Sequence, residues 1–393
     1  MSAMNNLPPD IIEAILRRLP EKSLGRFKSV SKQWCSLISD PQFIKTHLHQ
    51  HSHHKTSKLI LVSDTKCLYS VDINEIVPHL KFDDIPATGN EITFRPPSIR
   101  WEGILGSCNG LVLAIDEYDI LYLMNPTTRK ISKLPLSPFA LPISESFEMY
   151  GFGYDSSTDD YKVIAISFWD TDNEHNPDCT DMFVNVYTLS NNSWRKLPNS
   201  PYDHAVGHLV SGVLVNGSLH WLTSTRPNYS STIIAFNLAN EKFKEIELPD
   251  SIDNYKAVFN ELVVIGGKLC LFNQLGNDLW VMEEYGVGMS WTKVSIHGVD
   301  IDNVKPICSV DDSNRDIVLG DEDGVIIYNV DERVCRNVRI LRGPTRFTIG
   351  GVVLQIIECC ETGLRTPWNG VLEPKSEPLA ILSPSSNSEV CMF

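Results

Sequence analysis

The ten cysteines include no C-x-x-C pair, and only Cys359 and Cys360 are adjacent. That scatter indicates neither a zinc ribbon nor a disulfide framework. Long apolar runs are missing too. The stretch "ELVVIGGKLCLF" (261–272) is broken by glycine and lysine and falls short of the ~20 apolar residues a membrane-spanning helix needs. The start "MSAMNNLPPD" lacks the basic residues and apolar stretch of a secretory signal. Cys391 has too few residues after it for a prenylation box. The thiols are therefore expected to be reduced, in a cytoplasmic and/or nuclear protein with no membrane partner.

Patterns that carry chemistry are equally scarce. There is no G-x-x-x-x-G-K-[ST] loop for a nucleotide, "GFGYD" (151–155) is not G-x-G-x-x-G, and no G-x-S-x-G elbow occurs. "DDSNRD" (311–316) lacks the residue order of a calcium loop. Tyr154-Asp155 and the run Asp321-Glu322-Asp323 read as turn residues on a solvated rim. The carboxylate pair of a glycosidase, about 5–10 Å apart, cannot be singled out among 49 acidic residues. Five of the eleven histidines crowd into "HLHQHSHHKTSK" (47–58), but no cysteine or carboxylate stands near them. A solvated connector is the expected role. No metal, cofactor or catalytic residue is expected, because none of these residues forms a recognisable site.

Positive charge is in short supply overall, with 34 Lys/Arg against 49 Asp/Glu and a net charge of −15. The deficit is uneven. Residues 1–58 hold nine basic and four acidic residues, or +5, so the remainder carries −20. So acidic a body repels a phosphate backbone, which argues against a nucleic-acid partner. The basic segment favours an acidic protein partner.

What the chain does contain begins with "LPPDIIEAILRRLPEKSLGRFKSVSKQWCSLI" (7–38). Pro9 suits the first position of a helix, where its missing N–H costs nothing. At 100° per residue, Ile11, Ile12, Ile15, Leu16 and Leu19 fall on one arc of about 140°, wide enough to pack in two directions. Glu13 and Arg17 are spaced for an i, i+4 ion pair, and Pro20 ends the helix. Leu24, Phe27 and Val30 continue at helical spacing in a second helix. Ser31 is a cap for a third carrying Trp34, Leu37 and Ile38, and Asp40-Pro41 signals a fourth with Phe43, Ile44 and Leu48. A bundle this small tends to need external support.

"LPPDIIEAILRRLPEKSLGRFKSVSKQWCSLISDPQFI" resembles the F-box, in the version that opens plant F-box proteins. The likeness rests on Leu7-Pro8, Ile15-Leu16, Leu19-Pro20, Lys22-Ser23-Leu24, Arg26-Phe27, Val30-Ser31-Lys32 and Trp34. The resemblance implies docking on the Skp-type adaptor of an SCF ubiquitin ligase, and through it on cullin and RING subunits. Carried over by position, the adaptor-binding residues are Leu7, Pro8, Ile11, Ile15, Leu16, Leu19, Leu24, Val30 and Trp34. Some of the nine must instead hold the bundle together.

From Leu59 onward a strand–turn–strand unit recurs. "LYLMNPTTRKISKLP" (121–135), "VNVYTLSNNSWRKLP" (184–198) and "IIAFNLANEKFKEIELP" (233–249) are copies, and "LWVMEEYGVGMSWTKV" (279–294) and "VIIYNVDERVCRNVRI" (325–340) are looser ones. Each alternates apolar and polar residues on both sides of a polar turn, as a hairpin requires. The copies recur every 45–63 residues, room for about four strands, which is the period of propeller blades. A pair of β-sandwiches shares the turn spacing but not the period. The expected architecture is mainly β with a small N-terminal all-α module: a three- to four-helix F-box, then a kelch-like β-propeller of five or six blades. The first and last strands are expected to share a blade and close the ring. Paired glycines occur at a blade-like position only at Gly266-Gly267, so the blades are not true kelch repeats.

The β-region is similar to the F-box-associated interaction domain of plants through "NPTTRKISKLP", "YGFGYDSSTDDYKVIAI" and "VNGSLHWL". The expected divisions are 1–50 for the helical module, 51–58 for the linker, 59–360 for the propeller and 361–393 for a Pro/Ser-rich, mostly disordered tail. The resemblance implies a non-catalytic substrate-recognition subunit that recruits a protein for ubiquitination and proteasomal degradation. Its likeness to the constitutive-expresser-of-pathogenesis-related-genes type, which restrains plant immunity, implies immune receptors as clients. Rival readings are an S-locus F-box-type receptor for a ribonuclease, a non-degradative scaffold and a propeller enzyme. Loops 136–149, 169–181, 199–208, 223–232 and 250–258 are candidates for a recognition face, with no single target-binding residue nominated.

Overall fold

The computed structural model describes residues 8–38 except 20, residues 40, 43 and 46, and residues 57–355 apart from 95–98, 142–145, 170–181, 201, 203–208, 226–229, 250–259, 274–275, 298–303, 312, 321–323, 344–345 and 349–352. The histidines of the linker and the tail after 360 lie outside the described residues, as does the run 321–323.

The helical module comprises α1 (Pro9–Leu16), α2 (Glu21–Phe27) and α3 (Lys32–Ile38). Its caps are those the sequence signals. Ser31 Oγ accepts the Trp34 N–H at 3.1 Å, and Asp40 Oδ1 accepts the Phe43 N–H at 3.1 Å. Most of the expected fourth helix lies outside the described residues. Leu16, Leu24, Ile38 and Phe43 form a closed core, with Leu19, Phe27 and Trp34 packed against it. The Phe27 and Trp34 rings meet edge to face, centroids 5.5 Å apart, a preferred aromatic geometry.

The β-domain opens with β1 (Ser57–Ser63), β2 (Leu68–Asp72) and β3 (Asp84–Ile92). A four-strand meander follows: β4 (Trp101–Cys108), β5 (Leu111–Asp116), β6 (Leu121–Asn125) and β7 (Lys130–Lys133). The next sheet holds β8 (Ser146–Asp155), β9 (Asp160–Trp169), β10 (Phe183–Thr188) and β11 (Ser193–Lys196), with β12 (Leu209–Ser211) added parallel to β8. Two more meanders are β13 (Val213–Val215), β14 (Ser218–Thr225), β15 (Ser230–Asn237) and β16 (Phe243–Ile246), then β17 (Asn260–Ile265), β18 (Lys268–Asn273), β19 (Asp278–Met282) and β20 (Trp291–Ser295). Last come β21 (Lys305–Ser309), β22 (Asp316–Gly320), β23 (Val325–Asn329), β24 (Val334–Leu341), β25 (Phe347–Thr348) and β26 (Val353–Gln355).

Hydrogen bonding joins these strands into five sheets. The nine-stranded one contains a parallel seam, Val338 opposite Ile85, between β24 and β3. β25 and β26 both pair with β1, Thr348 opposite Val62 and Val353 opposite Leu59. The two ends of the domain thus meet in one sheet, as expected, and the ring has no open side there.

Face-to-face packing runs round the ring. The β4–β7 meander meets β8–β11 through Leu113, Leu123, Phe152 and Val163. The β8–β11 sheet meets β13–β16 through Ile164, Val186, Trp221 and Phe236. Further interfaces gather Ile233 with Leu269, Phe272 with Tyr328, and Ile85 with Ile327. Ile60 and Val62 pack with Val112 and Ala114 to complete the circuit. This is the propeller architecture.

The repeat seen in the sequence has two physical sources. In the outer hairpins an Asn or Asp side chain accepts backbone N–H groups of the turn, as Asn125 does from Thr127 and Thr128 at 3.0 Å and Asn237 from Asn240 at 3.0 Å. Four residues after each, Arg129 and Glu241 take left-handed φ of 60° and 57°, closing the turn as the side-chain bond directs. The "Leu-Pro" ending marks where neighbouring sheets are tied. Trp194 Nε1 donates to the Pro135 carbonyl at 2.6 Å, and Trp291 Nε1 to the Glu247 carbonyl at 2.9 Å. The free outer strands β7, β11, β16 and β20 each carry lysine, which discourages pairing with foreign strands.

Candidate functional site

The apolar arc of α1 divides between core and solvent. Taken in order round the helix it runs Ile11, Ile15, Ile12, Leu16, and Leu19 follows in the turn, since α1 ends at Leu16 rather than at Pro20. Ile11 is 47% and Ile15 44% exposed, whereas Leu16 is fully enclosed. Leu19 and Ile12, between these extremes, pack on the edge of the core. Glu13 and Arg17 form the i, i+4 ion pair on the flank.

The other adaptor candidates divide in the same way. Leu24 is enclosed and Trp34 is half-buried against Phe27. Pro8 is exposed and Val30, in the turn after α2, is 59% exposed. Leu7 lies outside the described residues. The outward apolar set is therefore Pro8, Ile11, Ile15 and Val30, held up by Leu16, Leu24, Leu19 and Trp34. Ile11 and Ile15 stand one turn apart on the same face of α1, both outside the core.

The ring has two unlike rims. In an ordered four-strand meander, the first–second and third–fourth turns share one end. The second–third turn shares the other end with the link to the next sheet. At the first end most turns are tight: 109–110, 126–129, 156–159, 189–192, 216–217, 266–267 and 330–333. At the second, the tight turn 117–120 shares the end with the longer connections from β7 to β8, β9 to β10, β11 to β12, β16 to β17 and β20 to β21. The loops singled out in the sequence leave strands at this second end, but β14 and β15 run through 223–225 and 230–232 and β8 takes 146–149, so 223–232 is mostly strand rather than loop. Much of their length lies outside the described residues, but the strands that carry them fix the rim. Tyr118 and Leu136, on turns of the same rim, are 74% and 71% exposed. Long loops on a rigid scaffold are where recognition usually resides.

One expectation is corrected. Asp155, read as a turn residue on a solvated rim, is 1% exposed. Its Oδ2 lies 2.8 Å from the Lys162 ammonium, which also donates to the Leu238 carbonyl at 2.6 Å and to Glu241 at 2.8 Å. Arg195 pairs with the same Glu241. Burial alone would raise the Asp155 carboxyl, but hydrogen bonds from Lys162, Ser157 and Thr158 outweigh it and hold it below the usual range. Glu241 is lowered against burial by Lys162 and Arg195. The group bolts the β8–β11 sheet to the turn between β15 and β16. A signal existed: Lys162 shares the inward parity of Ile164 and Ile166 in "YKVIAI".

His220 supplies a second tie between sheets. It is fully enclosed, with Nε2 2.8 Å from the Tyr285 hydroxyl and Nδ1 3.1 Å from the Val213 carbonyl. Burial pushes its pKa down to about 4, so it is neutral near pH 7. The six described cysteines are all unbridged. Among the described residues no group of three or more His, Cys, Asp or Glu is placed to hold a metal ion, and no helix is long and apolar enough to cross a membrane.

Comparison with known proteins gives the family. The F-box domain model matches residues 4–46, and the F-box associated beta propeller domain model matches residues 58–352. F-box protein CPR1 of Arabidopsis thaliana is 30% identical over 387 residues, covering 92% of this chain and 91% of that one. The F-box/kelch-repeat protein At3g23880 of the same plant is 33% identical over 341 residues, covering 84% and 89%. With helices and ring both matched, the chain belongs to the F-box proteins that carry an F-box-associated β-propeller domain.

Proposed function

We propose that this chain is the substrate-recognition subunit of an SCF-type ubiquitin ligase. F-box families act as adaptors, and an F-box implies binding to a Skp-type adaptor. The observation that carries the reading here is the outward apolar set Pro8, Ile11, Ile15 and Val30 on a module whose own core is only a few side chains deep. Covering that set on a partner supplies the support so small a bundle needs. The loop-bearing rim of the propeller then holds the target protein. Tethering raises the target's effective concentration at a transfer step carried out by cullin-bound subunits. The propeller itself makes and breaks no covalent bond in this scheme. The resemblance to plant F-box proteins that restrain immunity suggests a client of that kind, met in the cytoplasm or nucleus. Sizing-column co-elution of the full chain with a Skp-type adaptor at micromolar concentration tests the reading. Separate elution of wild-type chain and adaptor would sink it.

A further inference from the structure

The face of β8–β11 that packs on β4–β7 is apolar through most of its height, with Phe152, Val163 and Tyr187 at its centre. Toward the loop-bearing rim its character changes. Glu148 on β8 stands directly opposite Ser167 on β9. Asn185 on β10 is one row deeper, opposite Ala165. The strand alternation puts all three on the side of Tyr150, Ala165 and Tyr187, toward β4–β7.

These polar groups lack partners. Asn185 is 0% and Ser167 1% exposed. The Ser167 hydroxyl and both ends of the Asn185 amide make no hydrogen bond. Buried groups left unmet are costly and uncommon. Burial, and then the charge of Asp119 on the turn between β5 and β6, push the Glu148 carboxyl up to about 7. No basic group enters that balance. The contrast with Asp155 on the same strand is direct, since Asp155 has Lys162 at 2.8 Å.

The cation on this face, Lys196 opposite Asn185, has its ammonium over the Phe183 ring at 4.5 Å and does not enter the balance of Glu148. The Glu148 carboxyl, the Asn185 amide oxygen and the Ser167 hydroxyl oxygen are three acceptors on one interface, beside the single unmet Asn185 Nδ2 donor. The complement of the acceptors is a group with several N–H donors and a positive charge, an ammonium or guanidinium. We propose that the Glu148–Ser167–Asn185 row receives a lysine or arginine side chain of the protein held on the loop-bearing rim. This inference rests on reading that rim as the target-holding surface.

The test uses the full-length chain and three probes: Nα-acetyl-arginine amide, Nα-acetyl-lysine amide and the neutral isostere Nα-acetyl-citrulline amide, titrated calorimetrically. At least one basic probe is expected to bind saturably and about tenfold or more tighter than citrulline amide. Glu148→Gln, which keeps shape and removes charge, is expected to abolish that preference, and Asn185→Leu to weaken binding of the basic probe. Equal binding of the citrulline probe, no binding of either basic probe, or an unchanged preference in Glu148→Gln overturns the proposal. So does a high-resolution structure at saturating probe with water alone on the three side chains. Adaptor co-elution of the same preparation separates the two readings. A chain that captures adaptor but ignores the probes sinks only this site. One that binds the basic probe but not the adaptor sinks only the adaptor reading.

Discussion

Lys162 and Asp155 form an ion pair at 2.8 Å in which both side chains are almost wholly enclosed, 4% and 0% exposed. The pair joins strands of one sheet, and its ammonium reaches across to Leu238 and Glu241 of the next. Charges so enclosed are tolerated because every lobe of the ammonium is occupied.

Replacing Lys162 by Met is expected to destabilise the propeller by about 3–5 kcal/mol, because it leaves the enclosed Asp155 carboxylate uncompensated and Glu241 with Arg195 alone. The measurement is a urea unfolding curve with the slope held common to both proteins. The pH response follows from the lowered Asp155 pKa. The stabilisation is fully present above the unfolded carboxylate pKa and is lost as pH falls toward the folded value. The difference between wild type and variant should therefore shrink in acid.

Ile11→Asp combined with Ile15→Asp is expected to abolish adaptor co-elution while leaving the helical circular dichroism unchanged, since both residues face outward. Interface anchors of this kind are worth about 2 kcal/mol or more each. Leu16→Ala makes the informative contrast. Leu16 is enclosed, so its truncation should cost about 2–5 kcal/mol of module stability and lower adaptor binding through loss of fold.

Glu148→Gln is expected to flatten the pH dependence of propeller stability. The Glu148 carboxyl is raised in the folded state to about 7, mainly by burial. The folded chain therefore holds a proton that the unfolded chain has released, and stability falls as pH rises from about 5 to 8. The loss is up to about 3 kcal/mol. Thermal unfolding of both proteins across that range checks it, with Asp119 as the neighbouring carboxylate to substitute as a control. Parallel curves would refute the assignment.

Gly212→Ala is expected to cost about 1–3 kcal/mol by overpacking. Gly212 lies between β12 and β13, where the chain passes from one sheet to the next. A Cβ there would stand 2.5 Å from the Trp221 ring. The Gly212 N–H and Trp221 Nε1 both donate to the Tyr150 carbonyl, at 2.6 Å and 3.1 Å. Near-UV circular dichroism would report the displaced indole.

The division into helical and β parts was legible because α-helical and strand periods differ, and the caps at Ser31 and Asp40 were readable for the same local reason. The ring was legible through its repeat, though the tie from Trp194 to Pro135 was not, because residues 59 positions apart meet only after the sheets pack. On α1 the width of the arc foretold two packing directions. Which end faced inward depended on where α2 and α3 lie, and no spacing within α1 records that. The inward parity of Lys162 was legible, but its role was not, because Leu238 and Glu241 lie 76 and 79 positions away and meet it only when the sheets pack. The unmatched trio of Glu148, Ser167 and Asn185 was illegible in principle, since three separate strands bring it together.

Ring closure by β1 with β25 and β26 has a consequence for the order of assembly. The wheel cannot shut until residues 353–355 have left the ribosome, whereas the helical module, whose described core is built from its own side chains, has all of that core some three hundred residues earlier. On the proposed function, a nascent chain would engage the adaptor before it could hold a client, and a chain cut short before β26 would occupy the adaptor without a closed ring behind it.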